Sequence, residues 1–149
     1  MEIETKPYLG DRIVAGFLDY LLICGFLFYY AINFGEPNED GGYHLTGISA
    51  FAPVVFWGII TIGSEQLFGA TVGNLLVGLK PLSIDENTHD YWGNRVTFSQ
   101  SLKRHLLDPV DMFFFGIVGI VTISNSDKHQ RVGDIWAKTI VIRKADLEN

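Results

Sequence analysis

Three side chains carry charge where their neighbours leave little room for water: Arg12, Asp19 and Glu65. From Ile13 to Phe34 the chain runs 22 residues with Asp19 as its one carboxylate. At ~1.5 Å rise per residue, a helix of that length crosses a ~30 Å hydrocarbon core. An aspartate at such depth costs roughly 2.5 to 3.5 kcal/mol on insertion scales, so it should face protein or water. Arg12 lies seven residues earlier, two helical turns short by only ~20°, and so shares a stripe with Asp19. Ala15 and Gly16 lie between them, and small residues let a second backbone come close within a membrane. The two charges are ~10 Å apart along the axis, so water or another segment would have to bridge them. Glu65 closes a second apolar run, Ile48 to Phe68, on a stripe with Gly58 and Thr61. Asp19 and Glu65 fall in the same half of the bilayer. They could meet between the helices, where like charges cannot both ionise cheaply. Alternatively, Glu65 simply reaches the headgroup layer.

His105, Asp108 and Asp111 form H-x-x-D-x-x-D, which could offer metal ligands on a helix face. Pro109 interrupts that face and no further His or Cys lies near, so a helix-end or interfacial role is the expectation. His44 sits alone among turn residues. Cys24 is the sole cysteine, which rules out an intrachain disulfide and reads as a small buried hydrophobe. No nucleophile is spaced with a base. GATVGNLLVG lacks the spacing and lysine of a phosphate-binding loop. We therefore expect no enzyme activity, no cofactor and no metal. A net charge of -6 and a pI near 5.0 leave no basic face for nucleic acid. Trp57, Trp92 and Trp136 read as packing or interface anchors.

These residues need elements to position them. At 149 residues, 48% hydrophobic, the chain suits one small membrane domain with polar connectors. The start, MEIETKPYLGD, leans acidic and the apolar run is long, so the first helix is expected to be an anchor rather than a cleaved signal. Gly35 to Gly47 is a turn-rich loop without Lys or Arg. Gly69 to Pro81 predicts a turn and then a short strand from Leu75 through Ile84. Asp85 to Asn94 is polar and turn-rich. Thr97 and Gln100 give a capping box ahead of a short interfacial helix, with Phe98, Leu102 and Leu106 on one side and Lys103 and Arg104 on another. Within 106–123 the charge-free part, Met112 to Ile123, gives only ~18 Å of helix, short of a span. Ile135 to Ile142 reads as a strand, or a helical turn and a strand, that could pair with the Leu75 to Ile84 stretch. Lys and Arg flank the first helix's start, follow the second helix and end the chain, and positive charge collects on the cytoplasmic side. The third segment is therefore expected to return to the side it left. We predict an all-α membrane protein with two transmembrane helices (13–34 and 48–68), a short third re-entrant or spanning segment (106–123), and a small cytoplasmic strand pair.

With these features in order along nearly the whole chain, the sequence resembles the RDD family of membrane proteins, named for one arginine and two aspartates. Arg12 and Asp19 resemble its first two signature positions. GATVGNLLVGLKPLS resembles its glycine-threonine-glycine stretch, and HQRVGDIWAKTIVIR its closing arginine-glycine-aspartate run, which makes Asp134 the second aspartate. Asn74 stands where a lysine is usual, and Lys138 where glycine is usual. The resemblance implies an integral membrane protein, with transport often suggested. Arginine's planar fork can hold two carboxylates, so Arg12, Asp19 and Asp134 read as a structural clasp, as part of an ion or proton path, or as incidental neighbours. The polar cluster of interest is Arg12, Asp19, Glu65, Arg131 and Asp134. The expected function is transport of a small ligand or ion, such as cation or proton exchange, by an oligomer, since two helices enclose no pathway. The alternative is a non-catalytic membrane scaffold or assembly factor. The expected partners are the lipid bilayer and either further copies of the chain or another membrane protein. We expect a multi-pass protein of the cell membrane with both termini cytoplasmic.

Overall fold

An apolar run with no proline after Pro7 folds as one helix, α1 (Leu9–Phe34), in the computed structural model, which describes residues 5–85, 94–111 and 113–147. Only Ala15 and Asp19 on it are buried, whereas Phe17, Leu21 and Phe28 stand open. The small and polar stripe is thus the packing face, as its residue types predict. A hairpin of β1 (Glu36–Pro37) and β2 (Tyr43–His44) occupies the turn-rich loop. It leads into α2 (Gly47–Phe68), which starts as a 3-10 turn and carries Pro53 in its first α-helical turn, where no amide hydrogen is needed. Within α2 a π turn, Ile59–Gly63, brings Thr61 to a buried position, its hydroxyl donating to the Trp57 carbonyl at 2.7 Å. Both α1 and α2 are long and apolar enough to cross a membrane.

After α2, Gly69 takes a left-handed φ of 80° and Thr71 caps α3 (Val72–Leu76), accepting from the Asn74 amide. The strand expected from Leu75 therefore begins later. The cap starts a helical turn instead, and Gly78, at φ 74°, swings the chain into β3 (Leu79–Ser83). β3 pairs antiparallel with β4 (Thr139–Arg143), Leu79 opposite Arg143 and Ser83 opposite Thr139, so the predicted strand pair forms. Leu82, Ile140 and Ile142 form its apolar core, with Ile84 beside them.

Thr97 and Gln100 make the predicted capping box on α4 (Phe98–Leu106). α5 (Asp108–Asp111) follows, then α6 (Phe113–Asn125). The axis bends by 114° between Phe98–Asp111 and Gly116–Asn125. One expectation for α4 is corrected here. Arg104 does not face outward with Lys103 but is fully buried, because the inward face is the polar one: Gln100, Ser101, Arg104, His105 and Asp108. Phe98 and Leu106 point out. α7 (Val132–Ala137) then leads to β4, the helical turn and strand anticipated for this stretch. Trp92 and most of the Asp85 to Asn94 loop lie outside the described residues.

The sheet packs near the start of α1. The Tyr8 hydroxyl donates to Asp146 at 2.6 Å, and Arg143 pairs with Asp11. Large apolar side chains line the outside of both long helices while ionised groups crowd the interior, the arrangement expected where the surroundings are lipid.

Candidate functional site

α7 starts at the cap residue Arg131, and Asp134, three residues on, accepts from the Arg131 amide at 3.2 Å. Gly133 between them is required by packing. A Cβ there would lie 2.6 Å from the Arg104 carbonyl oxygen, so only glycine lets α7 lie against α4. That approach carries Asp134 into the middle of three arginines. Arg104 Nε donates to Asp134 Oδ1 at 2.8 Å, Arg12 Nη1 to Oδ2 at 3.3 Å, and Arg131 Nε lies 3.6 Å from Oδ2. Burial would push the Asp134 carboxyl up. The guanidinium groups of Arg104, Arg131 and Arg12 outweigh it and hold the group well below the usual aspartate range. Burial likewise works against the charge on Arg131, but Asp134, Asp108 and Asp111 reverse it and keep that guanidinium firmly protonated.

The network continues through Arg104, whose Nη1 donates to Glu65, while the Ser101 hydroxyl donates to the other Glu65 oxygen. His105 Nδ1 lies 2.8 Å from Asp108 Oδ2, and Arg131 Nη1 donates to Asp108 Oδ1 at 3.2 Å. Asp111 accepts from the Val132 and Gly133 amides at 3.0 and 3.3 Å, fastening the start of α7. Arg12 also donates to the His129 carbonyl at 2.9 Å. Helices α1, α2, α4 and α7 are thus tied at one centre.

Asp19 stands apart from it. Its Oδ1 accepts from the Gly73 amide at 2.7 Å, and Thr71 lies beside it. Gly73 is again a close approach, since a Cβ would collide with the Ala15 carbonyl. The anticipated meeting of Asp19 with Glu65 does not occur. The cap at Thr71 turns α3 toward Asp19, while Arg104 and Ser101 claim Glu65 from α4. Arg12 reaches Asp134 and not Asp19, so of the three residues read together the structure joins two. Asp19 borders a cavity of about 380 Å³ between α1, the α4–α5 turn and α6. Arg12, His105, Asp108 and Arg131 share its polar side, and Ile13, Phe17, Ile23, Ile120 and Ile123 its apolar side.

The arginine at position 12, the aspartate within α1 and the closing aspartate of α7 thus stand in one folded unit, and a family model for the RDD family matches residues 6–138. The chain belongs to the RDD family. No curated protein and no solved structure matches it. Family membership and the two long apolar helices make this RDD protein a membrane protein. Reading the residues alone missed Arg104, Ser101 and His105 as members of the cluster. The signal was there, because Gln100, Ser101, Arg104, His105 and Asp108 recur at helical spacing, a polar stripe too varied to be a plain solvated face.

Proposed function

We propose that this RDD protein moves a small ligand or cation across the cell membrane, in exchange for protons, with Asp19 as the group that binds. The observation that carries the reading is that Asp19, 8% exposed, faces the cavity with the Gly73 amide and the Thr71 hydroxyl as neutral donors and no ion-pair partner among the described residues. A carboxylate kept at membrane depth without a fixed counter-charge is suited to take up a cation or a proton in turn. Glu65, the other candidate, is held by Arg104 and Ser101, which supports a structural role for it and leaves Asp19 as the exchanging group.

Two spanning helices enclose no pathway, so the transporter is an oligomer, with the bent α5–α6 passage as a third, re-entrant element. The loop between α1 and α2 carries no Lys or Arg, whereas the opposite end carries most of them. By the charge asymmetry of membrane loops, both termini and the β3–β4 sheet are cytoplasmic. The chain performs no covalent chemistry in this reading.

A second reading, a scaffold or assembly factor, draws on the Arg12–Asp134–Arg104–Glu65 network, whose contacts tie four helices as a clasp would. Purified protein in proteoliposomes with a trapped pH indicator separates the two. Asp19→Asn abolishes cation-driven proton flux without lowering the recovery of folded protein if transport is correct. Wild type with no flux under any imposed cation gradient, together with an intact Asp19→Asn protein that no longer recovers its membrane partner, supports the scaffold.

A further inference from the structure

Two short helices at one end of the molecule carry their polar side inward and their apolar side outward. α4 turns Gln100, Ser101, Arg104 and His105 into the ion network and leaves Phe98 and Leu106 more than half exposed. Leu102 lies between those two at helical spacing, so the outer side of α4 is one apolar stripe. α7 buries Gly133, Asp134 and Ala137 and leaves Ile135 and Trp136 about half exposed. Lys103 of α4 holds its Nζ over the Trp136 ring of α7, 5.8 Å from the ring centre. That contact joins the two outer faces into one patch, apolar except for a single ammonium.

The ion network fixes the depth of this patch. α4 reaches α2 at Glu65, within one turn of the end of α2 at Phe68. α7 reaches α1 at Arg12, within one turn of the start of α1 at Leu9. A chain that crosses and returns puts the start of its first span and the end of its second at the same edge of the hydrocarbon layer. α4 and α7, nine and six residues long, give only ~14 Å and ~9 Å of helix and cannot cross. They lie along that edge, level with the lipid headgroups, where Leu67 and Phe68 of α2 are exposed too. The patch thus continues the lipid-facing surface of the spans. An indole favours this level, and a lysine can rest its stem on apolar surface while its ammonium reaches a phosphate. Lys103 has no carboxylate partner among the described residues, so its charge is left for a ligand.

We propose that the outer faces of α4 and α7 form an in-plane anchor that binds an anionic phospholipid of the leaflet nearest the β3–β4 sheet. Lys103 meets the headgroup phosphate, Trp136 sits at the glycerol level beside it, and Phe98 and Leu106 lie against the first methylenes of the acyl chains. The proposal stands whether or not the protein carries a cation.

Fluorescence of the full chain in lipid nanodiscs tests it, with Trp57→Phe and Trp92→Phe so that Trp136 is the sole tryptophan. Lipids brominated near the glycerol end of the acyl chain should quench Trp136 strongly, lipids brominated near the terminal methyl only weakly, and aqueous iodide hardly at all. A small fraction of brominated phosphatidylglycerol, diluted in phosphatidylcholine, should associate about fivefold more strongly than brominated phosphatidylcholine at the same fraction, the effect of one lysine near anionic lipid. Lys103→Gln should make the two lipids equal while leaving the depth profile unchanged. Quenching of Trp136 by iodide and by no lipid overturns the anchor and puts the patch in water. Shielding from iodide and from every lipid, in nanodiscs that hold two chains, overturns it in favour of a second copy. Equal association of the two lipids with the wild-type lysine in place, or a preference that survives Lys103→Gln, overturns the headgroup site. Should Lys103→Gln fail to fold, the depth profile and the lipid ranking of the Lys103 protein decide alone.

Discussion

Arg104 and Asp134 meet through a 2.8 Å Nε–Oδ1 hydrogen bond, both side chains almost fully buried, and the bond joins α4 to the first turn of α7. Each is bound elsewhere as well, Arg104 to Glu65 on α2 and Asp134 to Arg12 on α1. A buried pair of this kind need not be more stable than an apolar substitute, but it specifies one way of docking the parts, and losing one partner strands the other.

Asp134→Asn should therefore destabilise the protein by roughly 3 to 5 kcal/mol, the usual cost of leaving a buried charge uncompensated. Thermal unfolding in detergent, followed by circular dichroism, measures it. Ser101→Ala, which removes one neutral hydrogen bond, should cost only about 1 kcal/mol.

Acid should act through the same residue. The Asp134 carboxyl is held below its ordinary value in the folded protein, so its contribution is complete above the unfolded value of roughly 4 and is lost as pH falls through the lower, folded value. The melting temperature of the wild type should lose this contribution only below about pH 4. Asp134→Asn should flatten that acid limb, and an unchanged limb in the variant would assign it to other carboxylates.

Gly73→Ala places a methyl group against the Ala15 backbone and must part α3 from α1. Overpacking of this kind costs typically about 1 to 3 kcal/mol, and here it also lengthens the Gly73 amide bond to Asp19. Gly25→Ala, on the same helix as Ala15 with open space around it, should be near neutral by the same melt.

Lys138 ends α7 at φ 53° and ψ 55°, a left-handed conformation that costs a side chain roughly 1 to 2 kcal/mol and glycine almost nothing. Its ammonium pairs with Asp85 at 3.5 Å in solvent, which is worth little. Lys138→Gly should raise the melting temperature, and a fall would mean that the ion pair matters more than the backbone.

The parts legible in the sequence were those set by local pattern. The two long helices follow from apolar length, the α4 cap from Thr97 and Gln100, and the β3–β4 pair from an apolar run of strand length after the second helix and the β-branched run Ile135 to Ile142. Lys138 stands where the family resemblance expects glycine, and the structure gives that position a left-handed turn. What was not legible depends on which way a helix face turns. From its residues α4 reads as an interfacial helix with Lys103 and Arg104 together on its polar side. With lipid outside, Phe98 and Leu106 turn out and Arg104 turns in. The fate of Glu65 followed from that reversal, since its partner came from a residue read as exposed. The expectation that Asp19 faces protein or water agrees with its burial, but its contact with the Gly73 amide depends on the helix that Thr71 caps there.

The central claim is that Asp19 faces a cavity at membrane depth while the cluster around Asp134 is closed. Cysteine accessibility tests it most directly. On a Cys24→Ser background, Asp19→Cys and the lipid-facing Phe28→Cys would be treated with a cationic, membrane-impermeant methanethiosulfonate in intact proteoliposomes. The account predicts rapid labelling at position 19 and none at position 28. Position 19 as unreactive as position 28 would contradict it.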